Sequence, residues 1–251
     1  MPALGRTGRV GFIQRYQDGE YLSRTQDWHE GDAAWKAARV REILDAAGLA
    51  PRRVADAGCG TGGVLVQLQA TMPPGVELTG FEVAEPAFRV AAARANAGLR
   101  FVHGGVEEHR GEPFDVLLAM DVFEHVPDYL GFLELLRPVA RRFVFHVPLD
   151  LSIKSLLTGL PMHRRRSVGH LHYFDADTAR ATLEDCGYRV LDARFTHAVM
   201  QPPPATWKQR VRRLPDRLLY AARPALCARV LGGCSLLVLA EPDEVPALSP
   251  A

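Results

Sequence analysis

Val54-Ala-Asp-Ala-Gly-Cys-Gly-Thr-Gly-Gly63 packs four glycines and one carboxylate into ten residues. Gly58, Gly60 and Gly63 satisfy G-x-G-x-x-G between a short β-rich run and a helical one, the context in which such a loop lets a ligand lie against the backbone. Taken alone, the pattern fits a nicotinamide dinucleotide as well as any other adenosine compound. Glu82, ending the next predicted strand, is equally open, since an acid there accepts hydrogen bonds from two ribose hydroxyls in either case. Asp56 separates the two. A carboxylate two positions before the first glycine sits near the helix start where a dinucleotide lays its pyrophosphate, and two anions in that small space repel by on the order of several kcal/mol.

A phosphate-free adenosyl compound carrying a sulfonium and an amino group reverses the sign of that interaction, and S-adenosylmethionine is such a compound. On either side of the loop, short β-rich runs alternate with helical ones, which predicts a parallel sheet wound by right-handed crossovers. Strands are predicted at Arg53–Ala57, Val76–Glu82, Leu99–His103, Phe114–Met120, Phe143–Val147, Tyr188–Thr196 and Ser235–Glu241. Helical periodicity covers Asp32–Ala47, Gly63–Thr71, Glu85–Ala97, Tyr129–Arg141 and Ala176–Cys186, the last with Asp175 as its cap. The domain reading follows: residues 1–48 as a helical lid segment, 49–241 as one α/β domain with insertions at 150–174 and 201–231, and 242–251 as a frayed tail. The 150–174 insertion reads as a loop.

Asp56-x-Gly58-x-Gly60-x-Gly62, Glu82, and Phe114-Asp-Val-Leu-Leu-Ala-Met-Asp-Val-Phe-Glu-His-Val-Pro-Asp128 together resemble the successive motifs of class I S-adenosylmethionine-dependent methyltransferases. The resemblance covers residues 50–150 and implies a Rossmann-like, doubly wound, seven-stranded sheet whose last strand is antiparallel. It implies that Asp56 and the Gly58, Cys59, Gly60 and Gly62 backbone hold the methionine part of the cofactor and that Glu82 holds the ribose. By the same resemblance Val83 packs on the adenine, and Met120 and Asp121 line the cofactor. Gly104-Gly-Val-Glu107 departs from the family's Gly-Asp-Ala/Ile-Glu, so Gly105 lacks an acid near the adenine amino group; Val106 and Glu107 are the substitutes.

Ligands of an open α/β sheet lie beyond the carboxyl ends of its strands, which brings the loops after Met120 and Val147 to the reaction centre. His125 is therefore the leading candidate for a base, since an imidazole of ordinary pKa, about 6.5, takes a hydroxyl or ammonium proton at neutral pH. His146 is a candidate substrate contact. Gly169-His-Leu-His-Tyr-Phe174 resembles a segment common in this family; strand-like alternation would point His170 and His172 to one side as further catalytic candidates, with Tyr173 as a substrate contact. Trp28-His-Glu-Gly-Asp-Ala-Ala-Trp35-Lys-Ala37 resembles a motif ahead of the glycine loop in a subset of these enzymes, which makes Trp28, His29 and Trp35 either a lid over the substrate or a staple for the first helix. Asp121, Glu124 and His125 also resemble an acid-x-x-Glu-His cluster that binds a divalent metal in some ubiquinone-pathway O-methyltransferases. Many relatives with this string are metal-free, and no resident metal is expected.

The composition of the 251 residues, 47% hydrophobic with Lys+Arg 30 against Asp+Glu 29, is that of a globular protein without a global charge bias toward nucleic acid or membrane. Cys59, Cys186, Cys227 and Cys234 lack metal or redox spacing and read as reduced packing residues. No apolar run reaches bilayer length, so a cytoplasmic monomer or homodimer is expected, without membrane insertion or nucleic-acid binding. One local asymmetry stands out. Gln201–Leu231 is strongly basic, with Trp207, Val211, Leu214 and Leu218 at helical spacing, interrupted by Pro215, and fits a packed helix, an acidic-substrate contact or an anionic-lipid contact. The function expected is methyl transfer from S-adenosylmethionine to a small-molecule acceptor, oxygen favoured over nitrogen because His125 offers a base. The alternatives are an NAD(P)-dependent oxidoreductase or epimerase, weakened by the lack of a Tyr-x-x-x-Lys pair after the fourth strand, and a non-catalytic cofactor-binding module.

Overall fold

Apolar side chains on both faces of consecutive short segments force a sheet covered on both sides. The computed structural model describes residues 30–197, 206–207, 211 and 213–243. Its sheet contains β1 (Arg53–Ala57), β2 (Glu77–Glu82), β3 (Leu99–His103), β4 (Phe114–Met120), β5 (Ala140–Pro148), β6 (Tyr188–His197) and β7 (Cys234–Pro242). The spatial order is β3-β2-β1-β4-β5-β7-β6, parallel from β3 to β5, with β7 antiparallel to both β5 and β6. Alternation along β4 divides the core: Leu117 and Ala119 face a layer with Phe143, Phe145 and Tyr188, while Val116 and Leu118 face one with Leu65, Leu78 and Val144.

The first helix, α1 (Glu30–Ala46), buries Ala33, Ala37, Val40, Ile43 and Leu44, a stripe at helical spacing that packs with α2 (Gly63–Thr71) on one face of the sheet. α3 (Glu85–Ala92) follows β2, and α4 (Tyr129–Leu136) packs on the opposite face. The stretch after α4 tightens into a single 3-10 turn, Arg137–Val139, whose Pro138 lacks the donor an α-helix needs, so β5 starts at Ala140, inside the stretch predicted as helix. α7 (Ala176–Asp185) carries the predicted cap, with Thr178 N–H donating to the Asp175 carboxylate at 2.8 Å.

The loop predicted at 150–174 is instead two helices, α5 (Ile153–Thr158) and α6 (Leu160–Ser167), joined at Gly159. Ser152 caps α5 reciprocally with Ser155, a capping box built from two serines. The basic segment holds α8 (Leu214–Ala222) and α9 (Pro224–Val230). Pro215 lies in the first turn of α8, where a missing N–H costs nothing; Trp207 and Val211 are helical as well, and a turn at Arg213 separates them from α8. Trp28, His29, the rest of residues 1–29 and residues 198–205 and 244–251 lie outside the described residues.

Candidate active site

The chain crosses from β1 to one side of the sheet and from β4 to the other, so a crevice opens between their carboxyl ends. A cavity of about 510 Å³ occupies that crevice. Its floor is the quoted loop. Gly62 has φ +82°, and a Cβ there would meet the Phe101 ring at 2.6 Å, so both conformation and packing require glycine. Gly60 N–H donates to Glu82 Oε2 at 2.8 Å and Ala84 N–H to Oε1 at 2.7 Å, which ties the loop to the end of β2. Burial raises the pKa of the Glu82 carboxyl while these backbone donors oppose the shift. Each oxygen keeps a further lone pair for a hydroxyl donor.

Asp56 lies beneath the loop, 2% exposed, and its Oδ1 has no hydrogen-bond partner. Burial pushes this carboxyl up to about 8, with Lys36 opposing and Glu82 adding to the shift. A buried acceptor left open on a cavity wall is a place for a ligand's donor or cation. Cys59, Val83, Met120 and Asp121 also line the cavity, as predicted for a cofactor site. Gly62, Val106 and Glu107 do not. The Val106 side chain is in the core, whereas the Glu107 carboxylate folds back into the space that a side chain at Gly105 would take.

On the cavity wall, Asp121 is held by two donors. Lys36 Nζ is 2.7 Å from Oδ2, and His146 Nδ1 donates to Oδ1 at 2.6 Å. Asp121 is also the one non-glycine with positive φ (59°) among the described residues, a conformation Asp tolerates better than most. Burial alone would raise its pKa, but His146 and Lys36 hold it well below the usual carboxylate range. Burial lowers the pKa of the Lys36 ammonium, and Asp121, with Asp32 and Glu124 adding to it, more than reverses this. His146 Nε2 bonds Thr196 Oγ1 at 2.9 Å, and Trp35 packs edge-on against the ring at 6.0 Å. With both ring nitrogens engaged, His146 is a wall group and a poor base.

The pair Lys36–Asp121 predicts a stability effect. Lys36→Met keeps the shape of the stem but leaves a cavity-facing carboxylate with one partner fewer. The expected loss is about 2 kcal/mol, below the usual cost of breaking a fully buried pair because water reaches Asp121 from the cavity. Thermal unfolding would show it as a midpoint lower by about 4–8 °C; an unchanged midpoint would mean that the pair contributes nothing.

At the other end of the cavity, a 3-10 turn over Phe123–His125 presents His125. The Gly169 carbonyl accepts from His125 Nδ1 at 3.3 Å, which leaves the ring's lone pair on Nε2. His170 stands edge-on to it with centroids 4.9 Å apart, and donates from Nδ1 to Asp150 Oδ2 at 2.5 Å. Beneath them Glu124 is fully buried with neither carboxylate oxygen hydrogen-bonded; burial, then Asp121 and Asp150, raise its pKa well above the usual range. Glu124, His125 and His170 bring one donor atom each within 4.8 Å of one another and could hold a divalent cation. Asp121, the leading acid of the metal-cluster resemblance, is turned instead to Lys36 and His146. His197, Cys227 and Cys234 form a second such trio, in which burial raises the pKa of both thiols.

Besides Gly62, Val106 and Glu107, two further predicted site residues, His172 and Tyr173, are not brought to the cavity. Residues 169–174 form no strand, so alternation does not hold: His172 donates to the Val126 carbonyl at 3.0 Å and lies against Tyr129, and Tyr173 donates to the His170 carbonyl at 3.2 Å. Both anchor the loop that presents His170. Sequence reasoning missed Lys36, Thr196 and Asp150, and read Glu124 only within the metal-cluster resemblance. Lys36 stood in the quoted Trp35-Lys-Ala37 string.

A family model described as a methyltransferase domain matches residues 28–193. Ubiquinone biosynthesis O-methyltransferases of Vibrio parahaemolyticus and Aromatoleum aromaticum are 32% and 34% identical over 130 and 122 residues, 47% and 44% of this chain and 53% and 50% of theirs. The chain thus spans about half the length of the curated relatives it matches. In fold it is similar to a Haloferax volcanii protein solved with the Trm112 methyltransferase activator (TM-score 0.65, 17% identity, covering 92% of this chain and 99% of that one). It is also similar to the magnesium protoporphyrin IX methyltransferase of Synechocystis PCC 6803 with bound SAH (TM-score 0.58, 18% identity, 95% of each chain). Because the family match runs from the Lys36 helix through the glycine loop and the Asp121–His125 turn into β6, the chain belongs to the methyltransferase-domain family, the class I S-adenosylmethionine-dependent methyltransferases.

Proposed function

We propose that the enzyme methylates an oxygen nucleophile of a small-molecule acceptor, with His125 as the base. The observation that carries this reading is the layout of the cavity, in which an open buried acceptor, Asp56, and the Glu82 carboxylate lie at one end and the His125–His170 pair at the other. Asp56 and the backbone of Gly58 and Gly60 would hold the amino-acid part of the cofactor, Glu82 the ribose, and Val83 the adenine. The bound cofactor supplies an electrophilic methyl carbon. The rest falls to the protein: the walls around Trp35, Met120 and His146 exclude water, and the acceptor is positioned for in-line attack. His125 Nε2 takes the acceptor's hydroxyl proton as the oxygen–carbon bond forms and S-adenosylhomocysteine departs. The Gly169 carbonyl fixes the tautomer that makes this possible.

Titration calorimetry of the whole chain with S-adenosylhomocysteine and, separately, with NAD tests the cofactor end. Saturable heat with the nucleoside and none with NAD is expected; the reverse would remove the reading. The relatives named ubiquinone biosynthesis O-methyltransferases support oxygen as the nucleophile.

A further inference from the structure

α5 is an amphipathic helix turned inside out. Ile153, Leu156 and Leu157 share one face at i, i+3 and i+4 spacing and are 57%, 63% and 83% exposed, while Ser155 points inward and is 3% exposed. Its neighbours share the trait. Met162 on α6 and Leu214 and Leu218 on α8 are at least half exposed. These helices are continuous in space: Gly159 joins α5 to α6, α9 packs on both α5 and α8, and Gly232, just after α9, lies against Ser152. An exposed apolar layer of this kind marks a contact surface more often than chance.

Charge identifies the partner. Residues 153–167 and 213–230 carry eight Lys and Arg (Lys154, Arg164, Arg165, Arg166, Arg213, Arg217, Arg223 and Arg229) against one acid, Asp216, in a chain whose totals nearly balance. Leucines ringed by arginines fit the boundary between anionic headgroups and acyl chains, where the apolar side chains sink and the cations stay with the phosphates. No helix of the described residues is long and apolar enough to cross a membrane, so the contact is peripheral. We propose that the α5–α6–α9–α8 layer docks on an anionic lipid surface. α6 carries Leu160 and Arg164 on the cavity wall, with Val168 just after it, and Met162 on the outside, so an acceptor held in the lipid reaches the site from the docked face. That last step rests on the methyl-transfer reading; the docking itself does not.

The test is co-sedimentation of the full chain with vesicles of phosphatidylcholine alone and with about a third phosphatidylglycerol. Recovery with the anionic vesicles is expected, weakened by salt, together with little recovery on neutral ones. Leu156→Asp/Leu157→Asp is expected to abolish it, and Arg165→Gln/Arg217→Gln to weaken partitioning on the order of thirtyfold, at about 1 kcal/mol per charge. All these positions are exposed, so both variants should keep the wild-type melting midpoint and S-adenosylhomocysteine affinity. Equal recovery on both vesicle types, or no loss in the variants, overturns the proposal. So does self-association in sedimentation velocity that Leu156→Asp/Leu157→Asp dissolves while vesicles recover no protein. A wild type that binds vesicles but not S-adenosylhomocysteine would sink the methyl-transfer reading and leave the docking standing.

Discussion

His125→Ala is expected to lower kcat for methyl transfer by a factor of about 100 or more while S-adenosylhomocysteine affinity changes by less than about twofold. The separation follows from placement, because His125 belongs to the turn after β4 whereas Asp56 stands on β1 and Glu82 ends β2. Removing the ring also leaves the Gly169 carbonyl without its donor, so some loss of order in residues 168–170 is expected. His125→Gln restores a donor to that carbonyl but no base. It should recover the melting midpoint and not the rate, which distinguishes proton transfer from loop anchoring. A chelator separates the base from a metal ligand, since Glu124, His125 and His170 could together hold a cation. Turnover that falls on chelation and returns with added magnesium or manganese would make His125 a ligand and end its assignment as the base. Full turnover in His125→Ala would end both.

The fold was legible wherever local pattern and tertiary context agree. β1 and β4 match their predicted bounds because a parallel strand covered on both faces is mostly apolar, the edge strand β3 matches as well, and the glycine loop and Glu82 are read from neighbours in the chain. α5 and α6 were illegible for the opposite reason. Ile153, Leu156 and Leu157 on α5 and Met162 on α6 face outward, so the apolar stripe that would announce a packed helix points away from the core. Lys36 was passed over because a lysine in a helix ordinarily marks the solvent side; its partner Asp121 lies 85 positions along the chain and meets it through the sheet. Glu124 sits in a motif read for its histidine, and no local signal tells that the acid beside that histidine is the one sealed from water. His172 shows the limit of periodicity, which places a side chain only after the secondary structure is known.

Asp56→Asn is expected to weaken S-adenosylhomocysteine binding by about 100-fold, the worth of a charge-assisted contact to the ligand's ammonium in a dry crevice. The same carboxylate imposes a pH dependence. Without ligand its pKa is raised to about 8, so at pH 7 it is largely protonated, and a cation bound beside it draws the proton off. Binding at pH 7 should therefore release close to one proton, measured from calorimetric heats in buffers of different ionisation enthalpy. Affinity should climb as pH rises and level off above about 8. The ligand-free protein runs the other way. A carboxyl whose folded pKa lies above its unfolded value contributes stability that is complete below the unfolded pKa and is lost as pH rises through the folded one. From pH about 4 to 8, then, this residue costs the empty enzyme stability, and Asp56→Asn, which cannot ionise, should melt at least as high as wild type at pH 8. A variant that melts higher yet binds the nucleoside poorly identifies a group strained for the sake of its ligand. Proton release that persists in Asp56→Asn would move the titration to another group, and with it the electrostatic reason for preferring a cationic, phosphate-free cofactor.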